Sequence, residues 1–240
     1  MSDKLDSEKV IDFFKDRAGR HDKDSPLRTV IYQDNNPELA LRRNEEEKRI
    51  IFELLNIKPG DRVIDIGCGI GRFTQEFIDK GARYVGTDLI KEFIDSARAN
   101  HGADALFFNY GVNDLDAADI RAQGPFNTFF ITGLIMYLND QQANVLLEKI
   151  LFMSDKKARI LIREPISILS DNFLLDNIWS SELRSHYSAY YRTHKWFIDN
   201  LTKRLCSADF EMIVDRELYP EQLNNRKETR QHLFILEKSN

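Results

Sequence analysis

Three glycines, Gly67, Gly69 and Gly71, alternate with Cys68 and Ile70 and lead into Arg72, Phe73 and Thr74. Glycine permits a tight turn and a close approach of backbone to ligand, and the free N–H groups opening the next helix point at whatever lies there. The charges beside such a loop select its ligand. A dinucleotide loop carries its third glycine in the spacing G-x-G-x-x-G, whereas here that glycine comes one position early and Arg72 follows. Asp65, just before Gly67, would repel a pyrophosphate and attract an ammonium or a sulfonium. Asp88, at the end of the next apolar run, can accept hydrogen bonds from both hydroxyls of a ribose. The pattern asks for a ligand with a ribose at one end and a positive charge at the other.

Such a loop needs a strand before it and a helix after it, and the hydrophobic spacing supplies both. Arg62–Ile66, Tyr84–Thr87, Leu106–Asn109, Thr128–Thr132 and Arg159–Arg163 read as strands, and Arg72–Lys80, Ile90–Asn100 and Asp140–Met153 as helices. This βα alternation predicts a mostly parallel sheet with helices on both faces and a ligand crevice beyond the carboxyl ends of the strands. Residues 1–60 carry helical patterns at Ser7–Ala18 and Pro37–Leu55, separated by a polar stretch with Pro26, Asn35 and Asn36. The aromatic-rich residues 166–209 are expected to form a helical substrate cap. Residues 210–240 are expected to close the sheet with the strand pair Phe210–Asp215 and Gln231–Glu237, joined at Pro220, Asn224 and Asn225. One α/β domain over 1–240 is expected, with 1–60 as a helical lid and 61–165 as the cofactor-binding core.

With that order in place, VIDIGCGIGRFT followed by YVGTDLI resembles the first motif and acidic loop of class I S-adenosylmethionine-dependent methyltransferases of small-molecule type. The likeness covers about Arg62 to Arg163. S-adenosyl-L-methionine has both the ribose and the sulfonium that the two aspartates ask for. The resemblance implies a Rossmann-like sheet of seven strands, mostly parallel with an antiparallel last strand. It implies that Asp65, Gly67, Gly69 and Gly71 surround the methionine part, that Asp88 binds the ribose and that Leu89 flanks adenine, with Thr132 completing the cofactor set. Cys68 reads as a small residue that fits the loop, and Arg72 either holds a carboxylate or caps the helix surface. The family usually has an Asp after the third strand; Gly111 takes that position, with Asn109, Tyr110 and Val112 nearby, so backbone or Asn109 is expected to replace the carboxylate.

The acceptor is narrowed by what is absent. Methylation of an exocyclic base nitrogen commonly uses an Asn/Asp-Pro-Pro-aromatic run where this chain has Ile131, Thr132, Gly133, Leu134 and Ile135; cytosine C5 chemistry needs a cysteine there. Beside Asn127 and Thr132 there is no carboxylate pair for a hard cation, so no metal is expected. What remains is the edge formed by Thr132, Gly133, Tyr137, Arg163 and Glu164. Arg163 and Glu164 point opposite ways, and Pro165 is expected to stop the strand. Glu164 is expected to face the crevice as a base or orienting carboxylate, the alternative being a structural pairing with Arg163 or Arg192. Tyr137 is a further catalytic candidate, and proximity alone can carry much of such a transfer.

Tyr187, Tyr190, Tyr191 and Arg192 resemble a tyrosine-rich segment of some small-molecule methyltransferases. They either bind a polar acceptor such as a sugar, a sugar nucleotide or a phosphorylated metabolite, or fix the cap by burial. His194 and His186 are candidate bases or surface histidines. Tyr32 and Arg43 are candidate contributors from the N-terminal segment. The cluster Arg42, Arg43, Glu45, Glu46, Glu47, Lys48 and Arg49 reads as a solvated helix face.

The 240 residues hold 34 Lys plus Arg against 39 Asp plus Glu, with no basic segment, which argues against a nucleic-acid surface. Two cysteines, a charged N-terminus and no apolar run near the roughly 20 residues of a membrane helix point to a cytoplasmic protein without a membrane partner. The expected function is methyl transfer to a hydroxyl or amine of a small polar metabolite by in-line displacement. The alternatives are transfer to a protein or RNA, and a non-catalytic S-adenosylmethionine-binding subunit.

Overall fold

Alternation along each strand decides which face of the sheet its side chains enter. The computed structural model describes residues 5–19, 37–181, 183–224 and 226–238. Its seven-stranded sheet has the order β3-β2-β1-β4-β5-β9-β8. The strands are β1 (Arg62–Ile66), β2 (Arg83–Thr87), β3 (Leu106–Phe108), β4 (Phe126–Thr132), β5 (Ser154–Ser167), β8 (Glu211–Glu217) and β9 (Thr229–Lys238). β1 to β5 pair in parallel, and β9 runs antiparallel to both β5 and β8, so β9 is the one reversed strand.

Val63, Phe130, Leu161, Leu233 and Ile235 enter one face, against α2 (Pro37–Leu55), α3 (Thr74–Asp79) and α4 (Lys91–His101). Ile64, Phe129, Ile131, Ile160, Ile162 and Phe234 enter the other. There they meet α5 (Ala118–Arg121), α6 (Asp140–Met153), α7 (His194–Phe197) and α8 (Lys203–Cys206). Burial on both faces is why the central strands read as unbroken apolar runs. Strand order reverses between β1 and β4, which places a ligand crevice where Gly67 follows β1 and Gly133 follows β4. No helix among the described residues is long and apolar enough to cross a membrane.

Two expectations are corrected. Residues 166–209 are not a helical cap throughout: β6 (Phe173–Ser180) and β7 (Ser185–Tyr191) form an antiparallel hairpin, and only His194–Cys206 is helical, with a π-helical turn at Ile198–Thr202. The aromatic run favours a half-buried pleated surface. β7 is buried from Tyr187 onward, with the ring of Tyr187 5.3 Å from Phe13 of α1 (Ser7–Gly19).

Nor does β5 stop at Pro165. It continues to Ser167, paired with β9. The Arg163 carbonyl accepts from Gly133 on the β4 side, so the missing N–H of Pro165, two residues on, faces the same side past the end of β4. No ladder bond is lost there.

Gly86 on β2 faces a space without room for a side chain. A Cβ there would lie 2.8 Å from the Phe107 ring and 2.9 Å from Cys68 Sγ. Gly86→Ala is expected to cost about 1–3 kcal/mol by overpacking, read as a lower urea midpoint; an unchanged midpoint would show that the ring gives way freely.

Candidate active site

The loop after β1 takes its shape from glycines at positive φ: Gly67 at 79°, Gly69 at 56° and Gly71 at 77°, a region that disfavours side chains. The Gly67 and Cys68 N–H groups donate to the Thr87 carbonyl at 2.8 and 2.9 Å. Asp88 accepts from the Gly69 N–H at 2.9 Å and from the Ile90 N–H at 2.8 Å, holding loop and α4 together. Burial pushes its carboxyl up to about 6 against those bonds. Asp65 lies buried behind the loop. Tyr84 donates to its Oδ2 at 2.7 Å, while Oδ1 has no hydrogen-bond partner. Burial pushes Asp65 up to about 7, opposed by the Tyr84 bond and then by Arg72.

Two cavities open on this loop. The first, about 230 Å³, is bounded by Asp88, Leu89, Tyr110, Gly111, Val112 and the α1 residues Val10, Ile11 and Phe14. The second, about 160 Å³, lies under the hairpin and is bounded by Arg43, Glu47, Arg72, Arg163, Tyr187, Tyr191 and Arg226. Gly67, Gly69, Thr132, Gly133 and Tyr137 border both.

The expected site residues divide between these cavities and their supports. Gly67, Gly69, Asp88, Leu89, Tyr110, Gly111, Val112 and Thr132 border the first cavity; Cys68, Arg72, Arg163, Tyr187 and Tyr191 border the second. Tyr137 stands at their junction, its hydroxyl 3.0 Å from that of Tyr187, which lies 3.2 Å from that of Tyr191. Asn109 braces the wall, donating to the Asp88 and Leu89 carbonyls. Gly71 sits behind, its carbonyl 2.9 Å from His101 Nε2. Burial pushes the Cys68 thiol well above its ordinary range, which suits an inert filler. Tyr32 lies outside the described residues, as do Pro26, Asn35, Asn36 and Asn225.

Four expectations are overturned by side-chain direction. Glu164, wholly buried, faces away from both cavities and accepts the Leu134, Ile135 and Met136 N–H groups at 2.7, 2.9 and 3.3 Å. Arg192 is buried too, donating to the Ile135 and Leu138 carbonyls at 2.8 Å each and to Asp140. Carboxylate and guanidinium thus satisfy opposite ends of the turn Ile135–Tyr137 that presents Tyr137. Tyr190 turns away, its hydroxyl accepting from Asn172 at 3.0 Å. His194 lies on the far side of β9, 2.8 Å from Asp215, which His232 contacts at 2.7 Å. Those three offer ligand atoms within 4.8 Å of one another, a grouping that the expectation of no metal did not foresee.

Residues missed in the sequence include Asp114, which borders the first cavity three positions after the glycine standing where an acid was expected. Glu47 and Arg43 are also corrected: not a solvated face, but buried at 3% and 6% exposure. Arg72 donates to Glu47 at 2.9 Å, and Arg163 Nε lies 2.5 Å from it without the alignment of a hydrogen bond. Burial alone would raise Glu47, but Arg163, then Arg72 and Arg43, hold it down at about 2.

Residues 63–153 match the family model of the methyltransferase domain, and the fold order, glycine loop and paired acids agree with that likeness. Among solved structures, a Haemonchus contortus phosphoethanolamine N-methyltransferase 1 in complex with phosphoethanolamine and S-adenosylhomocysteine is similar at TM-score 0.70 and 19% identity, over 97% of this chain and 50% of that one. Magnesium protoporphyrin IX methyltransferase from Synechocystis PCC 6803, with bound S-adenosylmethionine, aligns over 98% of both chains at TM-score 0.64 and 14% identity. In sequence, phosphoethanolamine N-methyltransferase 1 of Arabidopsis thaliana is 27% identical over 124 residues, 50% of this chain. That match spans a quarter of the relative's own length.

The Synechocystis neighbour holds S-adenosylmethionine, and the residues present here fit that group. Asp65 Oδ1 is a buried acceptor without a partner, Asp88 borders the larger cavity, and the glycines leave the loop bare. A carboxyl whose folded-state value is raised contributes stability at low pH and loses it as pH rises through that value. The unliganded chain is therefore expected to lose stability as pH rises from about 4, through about 6 for Asp88 and about 7 for Asp65. Asp65→Asn is expected to melt higher than the parent at pH 8, with the gap closing at pH 5, by calorimetry. Equal gaps at both values would contradict the raised Asp65.

Proposed function

We propose that this chain transfers the methyl group of S-adenosylmethionine to a hydroxyl or amine of a small polar metabolite. The observation that carries this reading is the meeting of the two cavities at Gly67, Gly69, Thr132, Gly133 and Tyr137. When bound, the cofactor supplies a methyl on a sulfonium, ready for displacement in line. In the larger cavity Asp88 accepts from the ribose hydroxyls, Leu89 and Val112 flank adenine, and Asp114 stands in for the acid absent at Gly111. Asp65 balances positive charge from behind the loop. α1 and the hairpin keep water from the junction, which strengthens each of these electrostatic contacts. Tyr137 orients the acceptor, and its hydroxyl chain to Tyr187 and Tyr191 gives a displaced proton a place to go.

A cavity of about 160 Å³ under a hairpin supports a small acceptor over a protein or RNA. The test is a panel of amines, sugars, sugar nucleotides and phosphorylated metabolites, scored by S-adenosylhomocysteine formed, together with calorimetric titration of S-adenosylhomocysteine. Turnover with one class and binding of the product nucleoside are expected. Failure to bind S-adenosylhomocysteine would overturn the reading.

A further inference from the structure

We infer that the acceptor carries a phosphate monoester, and that Arg226 and Arg43 bind this group in the smaller cavity. The inference rests on reading that cavity as the acceptor site. Among the described residues four arginines, Arg43, Arg72, Arg163 and Arg226, border it against a single carboxylate, Glu47. Glu47 is already engaged by Arg72 and Arg163 and accepts from the Tyr219 hydroxyl at 3.3 Å. The other two guanidiniums have no carboxylate of their own among the described residues. Arg43 is buried with its Nε unpartnered, its guanidinium 5.0 Å from the Tyr219 ring. Among the described residues the Arg226 guanidinium makes only ring contacts, 5.9 Å from Tyr187 and from Tyr191.

A buried and a half-buried guanidinium that lack a carboxylate form a site that an anion would complete. The cofactor does not provide it. S-adenosylmethionine brings one carboxylate but also an ammonium and a sulfonium, so loading it leaves the junction more positive than before. Asp65, behind the loop, offsets at most one of these charges. The missing negative charge must arrive with the acceptor. Arg43 comes from α2 and Arg226 from the segment leading into β9, so they approach the cavity from different elements. A group with several oxygens and two charges can meet both forks at once, as a phosphate monoester does and a lone carboxylate does less well.

The test uses the full chain loaded with S-adenosylhomocysteine, titrated calorimetrically with inorganic phosphate at pH 7.5 and fixed ionic strength, with acetate as the comparison. Phosphate is expected to bind at least about tenfold more tightly than acetate. Arg226→Gln, which among the described residues gives up only the two long ring contacts to β7, is expected to weaken phosphate binding about tenfold or more. Arg43→Lys, which keeps the charge and loses the fork, is expected to weaken it less. Equal binding of acetate and phosphate would overturn the inference, as would an Arg226→Gln variant that binds phosphate like the parent. S-adenosylhomocysteine titration of the same samples separates this failure from failure of the methyltransferase reading.

Discussion

Glu164→Ala is expected to be the most damaging single change near the site, although Glu164 touches neither cavity. It strands the Leu134, Ile135 and Met136 N–H groups, at a cost of roughly 1–3 kcal/mol for each buried donor left unpaired. A loss of about 3–5 kcal/mol, or roughly 10 °C in melting temperature for a chain this size, should appear by calorimetry. Glu164→Gln should lose less than half as much. Its amide oxygen can still serve Leu134 and Ile135, and burial already favours the uncharged carboxyl. If alanine and glutamine variants melt alike, the turn is held by something other than this carboxylate. The same pair distinguishes positioning from base catalysis, because a base would lose its rate in the glutamine variant while the fold persisted.

The second large effect falls on the donor side. Asp88→Ala is expected to weaken S-adenosylhomocysteine binding by about 30- to 150-fold, the loss of roughly 2–3 kcal/mol from hydrogen bonds to a charged acceptor. Part of that loss comes from the loop itself, since Asp88 also fixes Gly69 and Ile90. The melting temperature should fall only slightly, because the strand and helix on either side keep their own cores. An unchanged dissociation constant would remove Asp88 from the ribose.

The sheet was legible wherever hydrophobic spacing and burial agree. Arg62–Ile66 and Asp140–Met153 have the same bounds in sequence and structure, because apolar runs flanked by glycine or by the Asn139 and Gln142 capping box leave little choice. The glycine loop and its two acids were legible for the same reason: local chemistry fixes them. The acceptor side was not, because strand alternation says that neighbours diverge without saying which one faces inward. Glu164 was therefore read inward, whereas the β5–β9 packing turns it away and leaves Arg163, also a candidate, at the cavity. Glu47 carried a readable signal that the charge count hid. Ala40, Arg43, Glu47, Ile50 and Ile51 recur at helical spacing on one buried face of α2. A run of mixed charges looks solvated until its apolar phase is traced.

The single reversed strand has an evolutionary corollary. Parallel strands deliver their last residues to the crevice; β9, running the other way, delivers its first ones and the short turn before it. Arg226, Thr229 and Gln231 reach the smaller cavity by that route, far along the chain from the glycine loop. Exchanging a few residues in that segment would change what the smaller cavity can hold while leaving the glycine loop untouched.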